Sequence, residues 1–145
     1  MLATHGLALA IAALLFVAAQ LRGAAPERLL AGMLLATAAA NTVSSLIWGP
    51  QGGPKLELIG LLTHALLFLA ILGVALYANR IYPLWLGGAQ IAALACEIAT
   101  FVTVTHPSLY VIMQQAPFYM ELVIMAVGLA YHVAKAGSER ASWAR

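Results

Sequence analysis

Cysteine is almost missing from this chain: Cys96 stands alone, which excludes an intrachain disulfide framework and a metal site built from several thiolates. Charge is nearly as scarce. Only 8% of the 145 residues are charged and 63% are hydrophobic, a balance far outside that of a water-soluble domain. No tract rich in lysine or arginine occurs, so nucleic acid is not expected as a partner, and the net charge of +2 matters only through its placement. Catalytic signatures are lacking too. There is no G-x-S-x-G element, phosphate-binding glycine loop, dinucleotide fingerprint or H-E-x-x-H pattern, and no residue set nominates a catalytic centre. Nothing repeats at a solenoid period.

What is present is a series of apolar runs of membrane-spanning length, about 20 residues each. Helix breakers and charges bound them at 3–21, 28–48, 56–78, 83–105 and 110–134, joined by the short links "RGAAPE", "GPQGGPK", "NRIY" and "HPS". This predicts an all-α integral membrane bundle of five transmembrane helices, a single domain with a short tail at 135–145. Open sheets are excluded in lipid because unpaired backbone groups cost several kcal/mol each. The first run is read as a retained span, since no lysine or arginine precedes it and no convincing cleavage site succeeds it.

Charge placement decides the count and the orientation. With five spans, Arg22, Arg28, Arg80, Lys135, Arg140 and Arg145 share one side and Lys55 alone takes the other. The positive-inside rule then puts the amino terminus outside and the carboxyl terminus in the cytoplasm. Trp48, Tyr110 and Tyr119 fall toward the outer interface, and Tyr77, Tyr82, Trp85 and Tyr131 toward the inner one. The tail, with Trp143 between two arginines, is expected on the cytoplasmic lipid surface. Pro117 is expected to kink span five or to separate its outer end from the main helix.

The polar residues inside these runs recur at helical spacing. Glu57 and His64, Gln90 and Glu97, and Gln114 and Glu121 are each seven apart, two turns on one face. Span two carries Thr37, Asn41, Ser44 and Ser45 at near-helical intervals. Such seams are expected against protein rather than lipid. At about 1.5 Å per residue, Asn41, His64, Glu97 and Gln115 lie roughly 10–12 Å below the outer ends of their spans, with Glu121 deeper. A charged carboxylate at that depth costs about 2.5–3.5 kcal/mol on insertion scales. No span holds an interior lysine or arginine to neutralise Glu97, so the candidate partners are His64, Asn41, Gln90, Gln114, Gln115 and water. The expectation is that Glu97 shares a proton or hydrogen bond with His64 or Asn41.

The remaining candidates are weaker. His64 could ligate a haem or metal only with a second ligand, and the spacings to His5 and His106 match no metal-binding signature; no metal site is expected. His132 faces the inner interface. Cys96 has no basic neighbour to activate it and reads as an inert thiol. Gly6, Ala10 and Ala13 on span one, and Gly87 and Gly88 on span four, suit close helix approach, either within the bundle or against another chain.

The stretch "ANRIYPLWLGGAQIAAL" at 78–94 and the later "QQAPFYMELVIM" resemble a loose group of short bacterial inner-membrane proteins. That group shares an Asn/Asp-Arg-aromatic-aromatic-Pro-Leu-Trp turn, then glycine and glutamine. This chain departs from it with Ile81 at an aromatic position and with Cys96 and Glu97 near a threonine and a histidine. The resemblance implies the same span arrangement and a bacterial plasma-membrane location, and it transfers no activity. The leading expectation is a non-enzymatic subunit or assembly partner of a membrane complex, in contact with lipid and with another membrane protein or itself. The competing expectation is a proton-linked transporter or channel using Glu97, Glu121 and His64. A haem- or quinone-associated redox component is a third, with the cofactor otherwise unassigned.

Overall fold

The computed structural model describes residues 2–48, 54–78, 81–102 and 107–143, with side chains placed at 5–47, 58–78, 81–99, 102, 112, 113 and 115–135. Among these the chain forms five α-helices and no strand: α1 (Leu2–Arg22), α2 (Ala25–Trp48), α3 (Pro54–Ala78), α4 (Tyr82–Val102) and α5 (Pro107–Trp143). Proline sets the helix starts. Pro26, Pro54, Pro83 and Pro107 all sit in first turns, where the missing N–H would have had no intrahelical partner. Glu27 is the acidic residue in the first turn of α2.

The α1–α2 turn is made by Gly23, whose N–H donates to the Ala19 carbonyl at 2.8 Å and so closes α1. A Cβ at Gly23 would lie 2.6 Å from that carbonyl oxygen and 2.9 Å from the Glu27 Cβ, so no larger residue fits. The Arg28 Nε donates to the Gly23 carbonyl at 3.1 Å and braces the same turn. Short links make sequential helices antiparallel. α1 packs on α2, α3 on α4 and α4 on α5, and α5 closes the bundle by touching α1 and α2, with α2 bordering α3.

Packing is tightest toward the end that carries Arg22 and Arg28. Ala19, Leu30, Leu34, Ile71, Leu86 and Met125 are all nearly or wholly buried there. α2 has no fully buried described side chain beyond Ala38, and α3 has none before His64. The outward surface is apolar, with Leu14, Leu21, Leu46, Leu66 and Val123 all more than half exposed. Water would not tolerate so continuous a belt. His5–Arg22, Ala25–Ile47, Leu58–Ala78 and Gln115–Lys135 are each long and apolar enough to cross a bilayer, which makes this a multi-pass membrane protein by length and composition.

Two pairs of alternatives are narrowed here. α5 runs unbroken through Pro117, which is buried, so no separate outer segment exists; losing one backbone hydrogen bond does not end a helix held by packing on both sides. The seam of Gly6, Ala10 and Ala13 is not the packed face of α1. A Cβ at Gly6 meets nothing within 4 Å, and the buried small residues are Ala8, Ala12 and Ala19. Trp48, Lys55, Glu57, Arg80, His106, Tyr110, Gln114, Arg140, Trp143 and Arg145 lie outside the described side chains.

Candidate functional site

α3 and α4 bring three of the polar residues together. His64 on α3 and Gln90 and Glu97 on α4 are buried, with Gln90 wholly inaccessible. The Gln90 side-chain nitrogen lies 3.1 Å from the His64 carbonyl oxygen and 2.9 Å from His64 Nδ1. A carbonyl oxygen only accepts, so this Gln90 atom is the NH2 group, and its second N–H donates to Nδ1. The His64 ring is therefore neutral with its proton on Nε2. Both hydrogens of one amide are spent fixing one histidine.

That tautomer aims its N–H at the third member. His64 Nε2 lies 3.9 Å from Glu97 Oε1, an ion-pair separation just beyond a direct hydrogen bond. Gly60, one turn before His64, makes the room: a Cβ there would stand 3.6 Å from Glu97 Oε1 and 3.7 Å from Oε2. The carboxyl group thus rests over bare backbone, with the histidine beside it. Chemically, the pair can hold one proton in two ways, as neutral imidazole with carboxylic acid or as imidazolium with carboxylate. Reaching the second state requires the Gln90 amide to turn, because an Nδ1–H cannot face an NH2 donor.

A second carboxyl group lies deeper. Glu121 on α5 is fully buried, and neither of its oxygens has a hydrogen-bond partner among the described residues. One contact sets its level. A Cβ on Gly128 would fall 2.8 Å from Tyr82 Cγ, so the Tyr82 ring lies directly on the α5 backbone and fixes the α4–α5 register. Two turns along each helix, Ala89 comes opposite Glu121, which puts Gln90 and Glu121 at one height. The Gln90 Oε1 atom is also buried without a hydrogen-bond partner among the described residues.

The rest of the expected polar layer is more dispersed. Asn41 on α2 is half-buried and forms no hydrogen bond with His64, Gln90 or Glu97. Gln115 is half-buried on α5, close to the height of Glu97 by the same register, and the Gln114 side chain lies outside the described ones. In α2 the seam hydroxyls of Thr37 and Ser45, and that of Thr42 outside the seam, bond back to their own helix. Thr37 donates to the Met33 carbonyl, Thr42 to Ala38 and Ser45 to Thr42, at 2.8–3.0 Å. Serine and threonine satisfy themselves this way in apolar surroundings. Cys96 is a half-buried free thiol.

Sequence reasoning passes over two buried groups. Glu27 reads as a linker residue and is fully buried at the first turn of α2. Tyr82 reads as an interfacial ring, yet its hydroxyl oxygen is inaccessible. Gly128 is the available signal for the tyrosine, a glycine inside a span with no turn to explain it. No three His, Cys, Asp or Glu side chains converge on a metal position among the described residues. A shallow apolar groove of about 430 Å³ lined by Ala116, Tyr119, Met120, Val123 and Ile124 lies on α5. No known family model, curated protein or solved structure matches this chain.

Proposed function

We propose that the chain is a proton-linked transporter or channel of five spans in a bacterial plasma membrane, with its amino terminus outside. The observation that carries this reading is the buried pairing of Glu97 with the Nε2–H side of His64, in spans that contain no interior lysine or arginine. A carboxyl group kept there, at an insertion cost of about 2.5–3.5 kcal/mol when charged, marks a functional site by default, and a histidine beside it suits proton exchange. The orientation is supported by Arg22, Arg28 and Lys135, which are exposed toward one end of the bundle. The location is supported by the resemblance of residues 78–94.

The test is proton uptake by proteoliposomes carrying an internal pH dye, after external acidification with potassium and valinomycin present. The expected result is uptake above the leak of empty vesicles, lost in Glu97→Gln. Uptake equal to the leak in the unaltered protein, or unchanged in Glu97→Gln, refutes it.

A second reading, as a subunit or assembly partner, is favoured by the outer face of α4. A Cβ on Gly87 or Gly88 would meet nothing within 4 Å, and Ala92 and Ala95 are exposed on the same helix. Small residues at such spacing let two membrane helices approach closely. Native mass measured after gentle extraction tests it, with one stoichiometric partner or a second copy expected and a bare monomer refuting it. The two readings are compatible.

A further inference from the structure

Glu121 has no role in the outer cluster, yet it is the most demanding buried group in the bundle. We infer that Glu121 is a second proton-binding site, at mid-membrane, that accepts protons from the His64–Glu97 pair and passes them toward the cytoplasmic end. The inference rests on the proton-linked reading of that pair and adds the continuation of its path.

Three observations carry it. The first is the side chain itself, wholly buried with both oxygens lacking a hydrogen-bond partner among the described residues. A group that served only to lock helix register would be held by hydrogen bonds, as Gln90 holds His64. The second is height. The Tyr82–Gly128 contact sets Glu121 level with Gln90, seven residues and about 10 Å nearer the start of α4 than Glu97. The third lies on the cytoplasmic side of Glu121. The Tyr82 hydroxyl and Glu27, both buried, belong to the first turns of α4 and α2 at the inner end. Protonatable groups therefore recur from the outer layer through the middle to the inner edge.

The charges around Glu121 are consistent with a neutral acid that loses and regains its proton. α4 supplies Tyr82, Cys96 and Glu97, α1 supplies His5 near its outer end and Arg22 at its inner one, and α2 supplies Glu27 and Arg28. The two arginines are exposed. No fixed cation among the described side chains holds Glu121 permanently as an anion. In the transfer step the Glu97 carboxylic acid gives up its proton and becomes carboxylate, and the Glu121 carboxylate becomes the acid. Only O–H bonds are exchanged, and water molecules carry the proton across the gap. The unsatisfied Oε1 of Gln90 offers an acceptor at the height of Glu121, so the turn of the amide that His64 protonation requires also alters the surroundings of the inner acid.

The experiment pairs the proteoliposome assay with infrared difference spectra recorded across an acid jump. The variant is Glu121→Gln, which keeps size and hydrogen-bonding capacity but cannot titrate. Proton uptake should fall by about a hundredfold, and one carboxylic-acid carbonyl band should vanish while the band removed by Glu97→Gln remains. Uptake in Glu121→Gln equal to that of the unaltered protein, alongside loss in Glu97→Gln, overturns the inner site and leaves the outer one standing. Absence of uptake in the unaltered protein instead overturns the reading on which the inference rests. Should Glu121→Gln fail to fold, Glu121→Asp decides by its spectrum: a shifted acid band supports the site, and an unshifted set of bands overturns it.

Discussion

Replacing Gln90 by leucine removes the group that defines the histidine, and its effect can be worked out bond by bond. Two hydrogen bonds disappear, at 2.9 Å to His64 Nδ1 and 3.1 Å to the His64 carbonyl. The carbonyl keeps its intrahelical bond from the residue four positions on, so its loss is at the lower end of the membrane range, about 0.6 kcal/mol. Nδ1 is left buried without a donor, which costs about 1–3 kcal/mol. Gln90→Leu should therefore lower stability by about 1.5–3.5 kcal/mol in reversible unfolding from mixed micelles. Nitrogen NMR of the labelled ring should show the Nε2–H tautomer in the unaltered protein and its loss in the variant. Gln90→Glu provides the opposite perturbation at constant size. A carboxylate accepts from Nδ1–H, so the proton should move to Nδ1 and leave Nε2 bare toward Glu97. A leucine variant within about 0.5 kcal/mol of the parent, with the tautomer unmoved, would refute the assignment of the amide and with it the geometry of proton exchange.

Other substitutions probe the packing that holds this geometry. Gly128→Ala puts a Cβ 2.8 Å from Tyr82 Cγ, near the root of the side chain where it cannot yield. The expected loss is about 1–3 kcal/mol from overpacking, reduced by up to about 1 kcal/mol of helix preference. Gly88→Ala meets open space and should be neutral or stabilising in the monomer by up to about 1 kcal/mol, measured by the same unfolding assay. Thr37→Val should change stability by less than about 1 kcal/mol despite the burial of Thr37, because its hydroxyl bonds only Met33 of its own helix. A larger loss would mean that the threonine reaches another helix.

The all-helical architecture was legible because in lipid the backbone has few alternatives, and proline and charge mark where each helix starts. The polar positions were legible for the same reason, since hydrophilic residues in apolar runs are few. Their pairing was legible only in part, since the closeness of Glu97 to His64 was expected and the capture of the ring by Gln90 was not. Spacing put His64, Asn41 and Glu97 in one layer, but height along a helix says nothing about the direction a side chain takes. Gln90, one layer deeper, reached the histidine, and Asn41 did not. Span two shows the limit from the other side. Its hydroxyls recur like an interhelical seam, yet a Ser or Thr can bond a carbonyl three or four residues back, and periodicity cannot separate the two uses. Glu27 escaped notice because a glutamate beside a proline in a short link reads as part of that link. Only tertiary packing buries it.

α4 links the fold to the chemistry. It carries Gln90 and Glu97, two of the three side chains of the buried cluster, in a helix otherwise as apolar as its neighbours. Alone in hydrocarbon it would carry both amide and carboxyl groups unsatisfied, each at a cost of several kcal/mol. Beside α3 the amide is spent on His64 and the carboxyl rests over Gly60 with the ring next to it. The α3–α4 hairpin is therefore the unit whose insertion is favourable, and the short link at 79–81 keeps the two helices adjacent as they enter the membrane. α5 then docks on a surface already formed, with Gly128 receiving the Tyr82 ring and setting the height of Glu121. A proton-exchange site built this way depends on helix pairing as well as on its titrating groups. Loosening Tyr82 from Gly128 should disturb Glu121 two turns away without touching the His64–Gln90 bonds.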